Sequence, residues 1–317
     1  MSNRLGDRQH SEAREKQRLS APARKGSGGE SPAQPPGGVV ITGPRRTLRP
    51  PPGWEWWAER LPGAQLVPRG SRSLDVIASD YDASAVLVLR EDKAVVYLPA
   101  EKLEYFYHPG MAKPRLKSIW KGQGDPMVEA MGLREGDEVL DCTLGRGTDA
   151  IVASYVVGPR GRVVGIESVP LIAALTEHGL QTFEFTQGKA EENERVKEAM
   201  KRIEVVCTDH LDYLLTARPK SFDVVYFDPL FHQPVVESVA MIPLRALADK
   251  QPLRPEAFEL ALRVARRCVV VKQRRGTPLW EKFQPDRVVA GRHSHIEYGV
   301  FVAARPEEGD EKCERRA

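Results

Sequence analysis

The 317-residue sequence is sparing in several features that would narrow its class. It has four cysteines, Cys142, Cys207, Cys268 and Cys313, and no CxxC pair. That pattern argues against a disulfide framework and against a structural zinc site, since both need clustered or regularly spaced thiols. No apolar run reaches the roughly 20 residues that a membrane-spanning helix requires. The opening stretch, MSNRLGDRQHSEAREKQRLS, lacks the apolar core of a secretion signal. The net charge is only +3, too small to demand or exclude a polyanionic partner. The expectation is a protein with reduced thiols, no metal, no membrane attachment and a cytoplasmic location.

What is present is unevenly distributed. Residues 1–37 are rich in Arg, Lys, Ser, Gly, Pro and Gln and nearly devoid of aromatic and β-branched residues, so they are expected to be a disordered tail. A weakly basic tail of this kind either touches RNA or is simply solvated. Residues 38–104 read as a small α/β module, with a strand at VVIT, helices at PGWEWWAERL and SLDVIASDY, and strands at ASAVLVLRED and KAVVYLPA. Within it, 66–71 reads LVPRGS, the sequence of a thrombin site. Its internal position, leading into helix-like sequence, marks it as native. The last residues, 306–317, form a charged tail.

Residues 105–305 carry the main domain. Its first part, YFYHPGMAKPRLKSIWK (105–121), interleaves aromatic rings with His108, Lys113 and Arg115. Rings that stack on bases beside cations that meet phosphates suit a nucleic acid, and these three residues are candidate substrate contacts. The competing reading is an amphipathic helix packed on the main sheet. From 137 onward, strand-like runs alternate with helices: EVLDC, RVVGIE, IEVVCT, DVVYFD, CVVVKQ, then RVVAG and YGVFVA close together. This pattern predicts a Rossmann-like, seven-stranded, mostly parallel sheet whose last strand is antiparallel.

The first of these strands runs into DCTLGRGTD (141–149), a glycine-rich turn opening a helix. Gly145 and Gly147 would let the backbone approach a ligand at the carboxyl end of the sheet. Glu167 closes the next strand, where a carboxylate can accept both ribose hydroxyls. Asp209 and His210 follow the third strand, placed for an adenine edge, and Asp141 or Asp149 would meet a methionine ammonium. A dinucleotide site shares the glycine turn and the acidic residue, but would normally show GxGxxG, whereas this loop reads GRGTDA. The site is therefore expected to bind S-adenosylmethionine (SAM).

The fourth strand ends in Asp228-Pro229-Leu230-Phe231. This resembles the [Asp/Asn]-Pro-Pro-aromatic motif of methyltransferases that act on exocyclic amines. The lone pair of such an amine is delocalised into its ring. A carboxylate at Asp228 and the carbonyl of Pro229 would accept its hydrogens and localise that pair, with Phe231 stacking on the base. Lys272, at the end of the fifth strand, is a further candidate contact for phosphate or a flipped nucleotide.

The run DCTLGRGTDA, GIES, TDH, YFDPLF and VVVKQ resembles the family of ribosomal RNA small subunit methyltransferase J, a class I SAM-dependent methyltransferase family. The blocks VPRGSRS, HPGMAKPRLK and GDPMVEAMGL are similar to an uncharacterised Gram-positive branch. By that resemblance Thr148 and Asp149, Glu167 and Ser168, Asp209 and His210, and Asp228 bind the cofactor. The implied activity is methylation of a guanine N2 in small-subunit ribosomal RNA, with RNA or the small ribosomal subunit as partner. The chain departs from that family in its longer amino-terminal half and in Leu230 where the general motif has a second proline. The alternatives are an adenine-N6 or cytosine-N4 enzyme, and a non-catalytic SAM- and RNA-binding assembly factor.

Overall fold

The computed structural model describes residues 38–229, 247–248, 252–291 and 294–303. Both expected tails and Phe231 lie outside them.

The amino-terminal strands are β1 (Gly38–Thr42), β2 (Gln65–Leu66), β3 (Ala83–Leu89), β4 (Ala94–Leu98) and β5 (Leu103–Phe106), in the order β2-β1-β3-β4-β5. β1 lies parallel to β2 and β3, and β4 and β5 follow as antiparallel neighbours. Two of these strands escape the sequence reading. β2 is too short to show a period, and β5 sits inside the aromatic stretch, carrying the sheet past residue 104. The two expected helices form as α1 (Trp54–Arg60) and α2 (Leu74–Asp80). Ser73 caps α2 by accepting a hydrogen bond from the Val76 N–H at 3.2 Å. One sheet face packs on Ile77 and Ala78 of α2, and the other on Trp57 of α1.

The second sheet has seven strands: β6 (Glu138–Asp141), β7 (Arg162–Glu167), β8 (Ile203–Cys207), β9 (Phe222–Phe227), β10 (Ala265–Arg274), β11 (Arg287–Ala290) and β12 (Ile296–Val302). Their order is β11-β12-β10-β9-β6-β7-β8. β6 to β10 are mutually parallel, β12 is antiparallel to β10, and β11 is antiparallel to β12. This is the expected α/β architecture, with each expected strand present.

Alternate side chains along these strands divide between two layers, as period-two geometry requires. Val139, Val163, Val224 and Val270 face one core. It includes residues of α3 (Ala112–Trp120), α4 (Pro126–Met131), α5 (Thr148–Val157) and α7 (Ala190–Lys201). Leu140, Val164, Val225 and Val269 face the other, beneath α8 (His210–Thr216) and α9 (Pro255–Val264). Among the described residues no helix is long and apolar enough to cross a membrane.

Helix α6 (Pro170–Thr182) packs between the two sheets. Its Leu171, Ile172, Ala174 and Leu175 pack with Ile41, Trp57, Leu87 and Tyr105 of the amino-terminal module. Arg60 on α1 grips Glu177 with two hydrogen bonds, of 2.6 and 2.8 Å. Further along, a Cβ on Gly179 would lie 2.0 Å from the Tyr107 ring, so this residue must be glycine for the chain to pass over the helix. Gly179→Ala therefore reverses the usual order, in which alanine stabilises a helix interior by about 1 kcal/mol. The expected result is a loss of about 1–3 kcal/mol from overpacking, read by urea unfolding. An unchanged or higher midpoint would contradict this packing.

Candidate active site

Strand register determines which side chains meet. Asp141 on β6 is level with Tyr226 on β9 and Gly165 on β7, and Phe227 on β9 is level with Val271 on β10. The next residues along, Asp228 and Lys272, and Glu167 at the end of β7, thus reach one carboxyl edge. There the strand order reverses on either side of β6, the position where open α/β sheets bind ligands. A cavity of about 560 Å3 opens at this point.

The glycine turn forms its floor. The Leu144 N–H bonds the Ile166 carbonyl at 2.9 Å, and Gly165 leaves room for the Leu144 side chain, which a Cβ would meet at 2.4 Å. Gly145 has φ +51° and lines the cavity. A Cβ there would have no protein atom closer than the Thr143 carbonyl at 4.0 Å, so the space belongs to the cavity. Its N–H bonds Glu167 at 3.1 Å, and its carbonyl accepts from the Thr176 hydroxyl at 2.7 Å. Gly147 is different. It does not line the cavity, and its φ of +73° comes from capping α5, with Leu144, Leu180 and Thr176 behind it. Its positive φ serves the turn.

Behind the turn lies a network of buried charge. Asp149 accepts hydrogen bonds from Arg115, from Lys272 at 3.0 Å and from the Tyr226 hydroxyl at 2.9 Å. Arg115 also bonds both oxygens of Asp125, at 2.8 and 2.9 Å, while Asp125 caps α4. Lys272 bridges from Asp149 to Asp228 Oδ2 at 2.7 Å. The Asp228 N–H bonds the Thr143 hydroxyl at 2.6 Å. Burial alone would push the Asp149 carboxyl up, but Lys272 and Arg115 hold it well below the usual carboxylate range. Asp141 has no such partner. Burial, then the charges of Asp149 and Asp228, push it up to about 8, against the pull of the Thr143 N–H and of Lys272.

The remaining candidates sort by position. Thr148, Ser168, Asp209, His210 and Pro229 also line the cavity. Asp209 caps α8 through the Leu211 N–H and pairs with Arg254 at 3.0 Å. The expected substrate contacts are redirected. Lys113 turns away from the cavity to the Gln187 carbonyl and Asn193, because α3 buries Ala112 and Leu116 and leaves residue 113 facing the α6–α7 connection. Arg115 and Lys272 do line the cavity, but their charges are committed to Asp125, Asp149 and Asp228 and not to a phosphate. His108 is exposed, its Nδ1 accepting from the Gly110 N–H and its ring against Phe183, outside the cavity lining. The segment 105–121 is thus largely the amphipathic alternative. Gly110, at φ +59°, sets it tightly against Thr148 and Arg146 of the glycine turn.

Arg254, Tyr226, Thr143 and Asp125 were not anticipated. Only Asp125 had a local signature, an Asp-Pro pair at a helix start. Among the described residues no group of three His, Cys, Asp or Glu side chains is placed to hold a metal ion.

Residues 77–302 match a family model described as "Putative SAM-dependent methyltransferase". The chain belongs to the SAM-dependent methyltransferase family. Among its relatives, the uncharacterized protein YpiP of Bacillus subtilis is 40% identical over 216 residues, 68% of this chain and 81% of that protein. Ribosomal RNA small subunit methyltransferase J of Nitrosococcus oceani is 31% identical, over 60% of this chain and 77% of that protein. The SAM-dependent methyltransferase NGO1261 of Neisseria gonorrhoeae shares the fold, with a TM-score of 0.51 and 17% identity over 87% of this chain and 100% of that one. SAM is therefore the cofactor of this methyltransferase, which resolves the choice that the glycine turn left open. The site suits it: an open backbone cradle at Gly145, apolar walls at Leu144, Ile166 and Ile172, and carboxylates at three successive strand ends.

The raised Asp141 gives a pH signature. The folded state holds a proton here that the unfolded chain releases near pH 4, so this group's contribution to stability falls as pH rises toward 8. Asp141→Asn removes that loss. The variant is expected to exceed the parent in stability by about 1–3 kcal/mol at pH 8, with a smaller gap at pH 5.5, by urea titration. A gap that is constant or narrows with pH would contradict it.

Proposed function

We propose that this methyltransferase acts on the exocyclic N2 of a guanine in small-subunit ribosomal RNA. The observation that carries the reading is the Asp228-Pro229 step at the cavity edge, with Asp228 Oδ2 on Lys272 and its N–H on Thr143. The Asp228 Oδ1 atom has no hydrogen bond among the described residues, so it is available for an amine hydrogen. The named relatives, ribosomal RNA small subunit methyltransferases J, support the choice of RNA and of the small subunit.

In this reading Asp141 takes the cofactor's ammonium. Glu167, whose oxygens accept main-chain N–H bonds from Gly145 and Val169 and are held at the cavity wall, meets the ribose hydroxyls. Thr148, Asp149 and Ser168 shape the same wall, and Asp209 and His210 border the adenine. SAM, when bound, supplies a methyl group on a sulfonium that leaves as a neutral thioether without acid assistance. Asp228 and the Pro229 carbonyl accept the amine's hydrogens, localising its lone pair for attack, and Asp228 then takes up the proton that the alkylated nitrogen sheds.

Labelled SAM offered with fractionated RNA, followed by nucleoside analysis, tests the acceptor. N2-methylguanosine in small-subunit RNA is expected, and label appearing only in N6-methyladenosine or N4-methylcytidine would transfer the site to another amine. Asp228→Ala is expected to lower turnover by about 10²–10³-fold with SAM still bound. Lys272→Met tests the bridge. Burial raises the Asp228 carboxyl and Lys272 opposes the rise, so without the ammonium Asp228 should protonate at higher pH. The acid limb of kcat should then move upward, and Lys272→Arg should move it back. A limb that stays in place would show that Asp228 does not depend on Lys272.

A further inference from the structure

The VPRGSRS motif plays no part in the cofactor site. It forms one half of a built surface at the carboxyl ends of β1, β2 and β3. Residues 43–53 and 67–74 contain five arginines, five prolines among other residues, and no carboxylate. The two loops are fastened together: the Arg46 N–H bonds the Gly70 carbonyl at 2.6 Å, and the Gly70 N–H returns to the Thr47 carbonyl at 3.0 Å. The Thr42 hydroxyl reaches the Val67 carbonyl at 2.7 Å. Gly70 takes φ +56°, and Arg46 holds φ +72°, a conformation that a non-glycine residue keeps only where its surroundings impose it.

Arg69 lies within electrostatic reach of Arg45 and Arg90. Arg72 is balanced by Asp80 and Arg90 by Glu104. Arg45, Arg46, Arg49 and Arg69 have no ion pair among the described residues. Arg69 is held below its usual value by partial burial and then by the charges of Arg90 and Arg45. Leu48 stands 74% exposed over Gly70. Arg45, Arg46 and Arg49 are exposed, and cations on a proline-stiffened frame lose little entropy when an anion docks. A cluster spread over several residues suits a chain of phosphates.

We propose that the Arg45–Arg46–Arg49–Arg69 platform of the amino-terminal module is a docking surface for the phosphodiester backbone of the RNA substrate. The inference rests on the RNA reading above. It gives the module a role separate from the cavity, where Lys272 and Arg115 are paired with carboxylates.

The test uses the full chain and a fluorescein-labelled RNA hairpin, with affinity measured by anisotropy across a KCl series. Arg45→Glu/Arg49→Glu/Arg69→Glu is expected to weaken binding at least tenfold, and to lower the salt slope by about 2, as expected from the loss of about three phosphate contacts. SAM affinity should be unchanged. The milder Arg45→Gln/Arg49→Gln/Arg69→Gln variant should move in the same direction and guards against misfolding. Arg160→Glu, before β7 at the amino edge of the main sheet, should bind as the parent does. If the parent binds the hairpin and both triple variants match its affinity and slope, the platform is overturned while the RNA reading stands. If the parent binds no RNA, both fall. If the platform residues prove necessary for phosphatidylglycerol vesicles but not for the hairpin, RNA is the wrong occupant.

Discussion

The site depends on a balance of buried charge. Three carboxylates, Asp141, Asp149 and Asp228, converge on one sheet edge, where burial penalises each and each penalises the others. Two cations restrain that repulsion. Lys272 is shared between Asp149 and Asp228, and Arg115 between Asp149 and Asp125. Such an arrangement adds little to net stability, because desolvation offsets much of the Coulombic attraction. It gives geometry instead. Asp149 is saturated and anchors the turn, Asp228 keeps one oxygen without a hydrogen bond among the described residues, and Asp141 is the carboxyl without a cation beside it among them. A bound cation would complete the balance at Asp141.

This division of labour shows what was legible in the sequence. The alternation of strands and helices, the glycine turn and the acidic strand ends follow from local periodicity and turn chemistry, and the seven-stranded, mostly parallel sheet with its antiparallel last strand appears as expected. The parallel register then brings Lys272 beside Asp228, a pairing implicit once β9 and β10 are neighbours. What local patterns could not give were contacts across long separations. Arg115 reads as a solvent-facing cation in an aromatic–basic stretch, and only the folded chain shows it closing on Asp149, 34 residues later. Lys113 and Lys272 show the same limit, since a sequence does not reveal which cations are paired within the fold. At the second glycine of the turn, Gly147, a left-handed cap and a ligand cradle select the same residue type.

Gly110 illustrates how the amino-terminal half serves the cofactor loop. Its lack of a side chain lets the chain leaving β5 lie directly on Thr148 and Arg146, so one covalent segment runs from the edge of the first sheet to the wall of the cavity. Tyr105 and Tyr107 flank this passage and are buried, one against the module and one against α6. The aromatic residues that resembled a stacking platform are thus mostly mortar between layers.

The role of α6 sets a boundary on how such enzymes can be recombined. The helix begins just past Glu167, ties the Gly145 carbonyl through Thr176, and presents its apolar side to the first sheet. A cut placed between the two sheets would leave Leu171, Ile172 and Leu175 facing water beside the cofactor loop, and exposed surface of that kind promotes association. The exchangeable unit is consequently not the five-stranded module alone but the module together with the outward half of α6. Any chimera that carries a new amino-terminal sheet onto this catalytic domain must bring a matching helix face with it.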